Sequence, residues 1–216
     1  MVPVFVVLTF ALFLVVDYFV LKSQKKEHPA FMTFPVFNKS SITLPLQYML
    51  SKGHIWLSKI SDSQVKIGVD EFIVKSFKKL QLIDMAAEGT DLKKGDVVFR
   101  GKVGKQVVNF HSPIDGKVLT VNNDTVGKNI TNPYTEGWGL VIAPATNNLS
   151  SVAQTAEKAA NWLDSEFKRL KDFLSLHTAD PELAGLTMAD GGNITEGVAA
   201  NFNEKTLAAF EKEFLS

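Results

Sequence analysis

The chain has 216 residues, 45% of them hydrophobic, enough for one domain of ordinary size with appendages and a real core. Lys plus Arg equals Asp plus Glu at 23 each, so no whole-chain field draws the protein to nucleic acid. Cysteine is absent, which excludes disulfides, thiolate nucleophiles, CxxC redox pairs and cysteine-ligated metal centres; any redox chemistry must use a borrowed cofactor.

The chain opens with VPVFVVLTFALFLVVDYFVL, Val2 to Leu21, with one charge, Asp17, and the length a helix needs to cross a hydrocarbon core. This predicts a single transmembrane anchor over residues 1–22. A cleavable signal peptide would need a basic start, a shorter apolar run and a small-x-small cleavage site, and none is present. Lys22, Lys25 and Lys26 follow the apolar run, so the positive-inside rule puts the short N-terminus outside and the main domain in the cytoplasm. Asp17 reads either as a contact with a partner helix or, preferably, as an interfacial residue about one turn from Lys22 with Tyr18 beside it.

Residues 23–52 mix prolines, polar residues and isolated aromatics without a period and read as a connector. From His54 the pattern changes. HIWLSKI and SQVKIGV flank a Ser-Asp turn and predict a hairpin. DEFIVKSFKKLQL opens with an acidic residue suited to an N-cap and spaces Phe72, Ile73, Phe77 and Leu80 as an amphipathic helix does. AEGTDLKKGDVVFRGKVGKQVVNFHSPIDGKVLTVNND then alternates short apolar runs with glycine turns, as a compact β-sandwich or barrel does, and WGLVIAP supplies a last strand.

After Pro144 the composition shifts. AQTAEKAANWLDSEFKRLKDFLSL carries an apolar stripe of Ala156, Ala159, Leu163, Phe167, Leu170 and Leu174, which predicts a long amphipathic helix. TADPELAGLTMADGGNITEG reads as a loop, and NEKTLAAFEKEFL as a final helix capped by Asn203 or Glu204. From Ser151 onward there are eleven acidic and six basic residues, read as the solvated face of helices rather than a docking surface.

Residues 53–146 resemble the glycine cleavage system H protein family, a lipoyl-carrying β-sandwich related to lipoyl and biotinyl domains. GHIWL stands where that family has its HEWV-like strand, and VKIGVDEF matches the entry to its first helix. EGTDLKKGD resembles its VGTxVKKGE turn, HSPIDGKVLTVN its YSPVSGEVVEVN, and NPYTEGWGLVIAP its DPYxxGWL strand. Several matches in the same order are far more specific than one motif. The family's modified lysine lies in an ESVKA segment, eight residues before the proline of the SP pair and sixteen after the glycine of the GT turn. Counting back from Pro113 and forward from Gly89 reaches Lys105 by both routes. The resemblance therefore implies Lys105 as the lipoyl attachment point, with Lys102 as a reserve candidate.

The chemistry agrees with that position. A primary amine at the exposed tip of a tight hairpin can be acylated by a ligase, and the dithiolane it then carries can reach a separate active site. Gly101 and Gly104 are read as permitting the turn. The segment departs from the family, with KVGKQ for ESVKA and Lys102 in place of an acid. A biotin carrier is the weaker reading, because the methionine–lysine–methionine surroundings are missing.

His54 reads as a structural hydrogen-bonding residue rather than a ligand, and His111 as a strand-end residue with no acid at triad spacing, so nucleophilic catalysis is rejected. The Asn129-Ile-Thr and Asn193-Ile-Thr sequons are chance matches in a cytoplasmic domain. No P-loop, dinucleotide fingerprint or metal-ligand cluster appears, and no catalytic or metal site is predicted.

The expected protein is mainly β with helices (α+β), a lipoyl-domain-like β-sandwich or hammerhead. One transmembrane helix precedes it, and a C-terminal helical extension over residues 147–216 follows. Its expected role is a carrier, not an enzyme, holding covalent lipoate and shuttling an aminomethyl-type intermediate or reducing equivalents. The expected partners are the membrane, a lipoate-attaching enzyme, and the enzymes of a glycine-cleavage-like or membrane redox system. The alternative is a non-lipoylated docking subunit of a membrane-bound complex.

Overall fold

The computed structural model describes residues 2–23, 35–177 and 194–216, in two compact units, Met1–Pro35 and Val36–Ser216. Among the described residues the first unit contains one helix, α1 (Val2–Ser23). Its apolar side chains are outward-facing on every side, Phe5 and Phe13 both at 70% exposure, and Lys22 Nζ lies 5.7 Å from the Tyr18 ring centre one turn back. Among the described residues no helix is long and apolar enough to cross a membrane. The transmembrane anchor expected over residues 1–22 is thus not found. Lys25 and Lys26, the first part of the connector and most of the loop before the final helix lie outside the described residues.

In the second unit, β1 (Val36–Phe37), β2 (Met49–Ser51), β3 (Ile55–Ser61) and β4 (Gln64–Val69) lead into helix α2 (Glu71–Phe77). Next come β5 (Gln81–Met85), β6 (Asp91–Leu92), β7 (Val97–Val103), β8 (Gln106–His111), β9 (Gly116–Val121) and β10 (Trp138–Pro144). The last part holds β11 (Ala153–Thr155), helix α3 (Ala156–His177), β12 (Ile194–Thr195) and helix α4 (Glu204–Phe214). A seven-stranded sheet has the order β11-β2-β3-β4-β10-β9-β6, a three-stranded sheet the order β5-β7-β8, and β1 pairs with β12.

Local sequence explains the elements that position the hairpin. The β3–β4 pair closes around Asp62, whose carboxyl is held below its ordinary range by the hydrogen bond and charge of Lys59, 2.6 Å away. Asp70 caps α2 by accepting from the Ile73 N–H at 3.0 Å. The helix expected to run through Leu82 stops at Phe77, where Lys78 turns to φ +60°, and Gln81 and Leu82 belong to β5. Phe99 of β7 and Phe110 of β8 are fully buried beneath the three-stranded sheet. Gly139 makes room for Phe99, since a Cβ there would come within 2.2 Å of its ring.

β2 comes from the segment read as connector and β11 from the segment read as extension, and they pair with each other inside the seven-stranded sheet. The C-terminal helices enter the same core. Phe167 of α3 packs on Phe37 and Phe72 at ring distances of 4.8 and 5.1 Å, and Phe210 of α4 meets Phe77 at 5.6 Å. As expected from its sequence, Asn203 caps α4, its side chain accepting from Thr206 N–H at 2.8 Å.

Candidate functional site

The antiparallel β7–β8 pair runs in register from Phe99↔Phe110 to Val103↔Gln106, which leaves Gly104 and Lys105 as a two-residue turn. Gly104 has φ +60° and Lys105 does not share the left-handed region, the pattern of a type II′ turn that matches strand twist. A side chain on Gly104 would meet nothing within 4 Å, so glycine is there for its backbone conformation and not for space. Gly101 plays a different part from the one expected. It lies inside β7, and a Cβ there would stand 2.6 Å from Leu80 Cδ1 and 3.0 Å from the Phe110 ring; it serves packing, not the turn.

The two lysines therefore differ in place. Lys105 is exposed at the tip of the turn, whereas Lys102 projects from the outer face of β7, between Gln81 of β5 and Val107 of β8. Among the described residues neither lysine has an ion-pair partner.

β8 is the edge of its sheet, and α4 covers that edge. Glu211 reaches across with both oxygens, accepting from Asn109 N–H at 3.1 Å and from Asn109 Nδ2 at 2.9 Å. Gln106 Nε2 donates to the Phe202 carbonyl, and His111 Nδ1 donates to the Leu215 carbonyl at 3.0 Å. A carboxylate and helix-end carbonyls thus meet polar groups that an open edge would leave to water or to another strand. Between β8 and α4 runs a groove of about 720 Å³ lined by Lys105, Val107, Glu204, Leu207 and Glu211 among others.

A second polar cluster lies in the core. His54, fully buried at φ +60°, donates from Nδ1 to Asp70 Oδ2 at 2.7 Å and turns Nε2 toward Glu166 Oε2 of α3 at 3.5 Å. Arg169 Nη2 lies 2.9 Å from the same Glu166 oxygen, with its guanidinium 4.3 Å from the Phe214 ring centre. Burial alone would lower the His54 pKa, but the charge and hydrogen bond of Asp70, with Glu166 behind them, raise it to about 9. Nearby, burial pushes the Tyr134 hydroxyl well above the ordinary tyrosine range. His54 is structural, as expected. The sequence reading missed its acidic partners, although Glu166 was signalled as an acid on the apolar stripe of α3 between Leu163 and Phe167. It also missed Glu211 and Asn109, whose meeting depends on how α4 folds back. Among the described residues no cluster suited to a metal ion is present.

Residues 46–166 match the family model described as Glycine cleavage H-protein. The glycine cleavage system H protein of Coprothermobacter proteolyticus is 28% identical over 116 residues, covering 52% of this chain and 91% of the relative. That of a Thermoanaerobacter species is 31% identical over 119 residues, covering 54% and 93%. The crystal structure of a glycine cleavage system H protein from Mycobacterium marinum superposes with a TM-score of 0.48 at 21% identity, over 55% of this chain and 98% of that one. The family match spans more than half of the chain and takes in β2 to β11 and the first half of α3: the chain belongs to the glycine cleavage H-protein family, whose members are carriers of covalently attached lipoate and not catalysts.

Proposed function

We propose that this chain carries lipoate in amide linkage on Lys105 and passes its load between partner enzymes of a glycine-cleavage-like or membrane redox system. The observation that supports the assignment is the place of Lys105 as the second residue of a two-residue turn, exposed and without an ion-pair partner among the described residues. The site fits such a group, since an exposed tip leaves room for both a ligase and a substituent.

In the attachment step the unprotonated Lys105 Nζ attacks the carbonyl of an activated acyl group; the amide C–N bond forms, the leaving group departs and one proton is released. Phe99 and Phe110 beneath the hairpin, and Gly104 in the turn, hold the Lys105 backbone in one place while its side chain reaches outward. Bound there, lipoate supplies the dithiol–disulfide chemistry that a cysteine-free chain lacks.

We further read α1 as the membrane attachment, with the short N-terminus outside and the main unit in the cytoplasm. The apolar run from Val2 to Leu21 and the lysines after it support this. Protease protection of the main unit in sealed vesicles checks the orientation.

Intact-mass and peptide mapping of the protein from cells with active lipoylation tests the attachment. The expected result is one lipoyl group on Lys105, lost in Lys105→Arg and kept in Lys102→Arg. An unmodified Lys105 under those conditions would instead establish a docking subunit that keeps the fold without the cofactor.

A further inference from the structure

Around the turn, charge is distributed unevenly. Strand alternation turns Phe99, Gly101 and Val103 inward and leaves Arg100 and Lys102 on the outer face of β7. Register places Lys102 in one row with Gln81 and Val107, and Arg100 in the next row with Asp84 and Asn109. The acids near the turn are already engaged or lie to one side. Asp84 is 3.3 Å from Arg100, Glu211 holds Asn109, and Glu204 lines the groove together with Lys212. The outer face of β7 thus bears Arg100 and Lys102, with Lys105 exposed in the turn at its end, against Asp84, in a chain whose total charge is zero.

Resting on the reading of Lys105 as acceptor, we infer that the enzyme acylating it docks on this outer face through an acidic surface, steered chiefly by Lys102. Cations gathered next to a reacting group raise the encounter rate of an oppositely charged partner. Lys102 suits the role because it lies three residues from the acceptor, exposed at the turn end of β7, and has no acid partner among the described residues. Amide formation removes the Lys105 charge. The attraction therefore falls by one cation as the product forms, which favours release of the finished carrier.

The test uses the full chain, purified without the acyl group, with the lipoate-attaching enzyme of its own host. Initial rates of adduct formation on Lys105 are followed by intact mass at about 25 mM and about 300 mM salt. For the unaltered chain kcat/KM is expected to fall as salt rises. Lys102→Glu is expected to lower kcat/KM by about three- to tenfold at low salt, mainly through KM, with the difference shrinking at high salt. Lys102→Arg keeps the original rate, and thermal melts check that each variant is folded. Equal rates for Lys102→Glu at low salt, or a rate on the unaltered chain that ignores salt, would overturn the docking assignment alone. No adduct on Lys105 in any variant would overturn the acceptor reading and this inference with it.

Discussion

His54 joins parts of the chain that are far apart in sequence: Asp70 at the start of α2 and Glu166 on α3, with Arg169 as the second cation of the cluster. Its pKa of about 9 lies above the ordinary 6.5, so its contribution to stability is complete below about pH 6.5 and is lost as pH rises through 9. The shift corresponds to about 3 kcal/mol. Thermal melts from pH 6 to pH 10 should therefore show a falling midpoint, and His54→Gln should flatten that slope while lowering stability at neutral pH, because buried Asp70 loses its cation and Glu166 is left with Arg169 alone. At this scale the place of Lys105 in a hairpin turn was legible, and the spacing to Gly89 and Pro113 that singles it out comes from the family resemblance. The sequence did not disclose the role of Gly101, because a glycine needed for packing and one needed for a turn look alike in a string of letters. Only the neighbours Leu80 and Phe110 distinguish them.

Helix α4 guards the β8 edge through one side chain, since Glu211 meets both the backbone and the amide group of Asn109. Glu211→Ala should leave that backbone N–H open to solvent, and hydrogen exchange at Asn109 should quicken by about ten- to a hundredfold, in line with a buried bond worth about 1–3 kcal/mol. Unchanged exchange at Asn109 would show that α4 closes the edge without Glu211. Longer elements were readable from periodicity: α3, α4, the β3–β4 hairpin and the β7–β8 hairpin all lie where the pattern puts them. β2, β11 and β12 were not readable. They have two or three residues each, too few to display a period, and β11 and β12 find partners only across the whole length of the second unit. The end of α2 was missed for a related reason, because apolar spacing continues through Leu80 while the backbone has already turned at Lys78.

Within the second unit, side chains of the segments read as carrier domain and as extension share one core among the described residues. A fragment limited to residues 53–146 would lack β2, β11 and the helices that bring Phe167 and Phe210 to Phe72 and Phe77. We expect that fragment to show no cooperative thermal transition, and residues 36–216 to melt in a single one; a sharp transition for 53–146 would make the extension an accessory. The pairing of β1 with β12 matters here in mechanical terms. β1 is the first strand among the described residues and lies within the segment read as connector, and Phe37 within it packs on Phe72 and Phe167. A pull exerted through the N-terminal segment is borne first by that pair and its aromatic seat. From there the load passes into α2 and α3, which hold the two rings against Phe37.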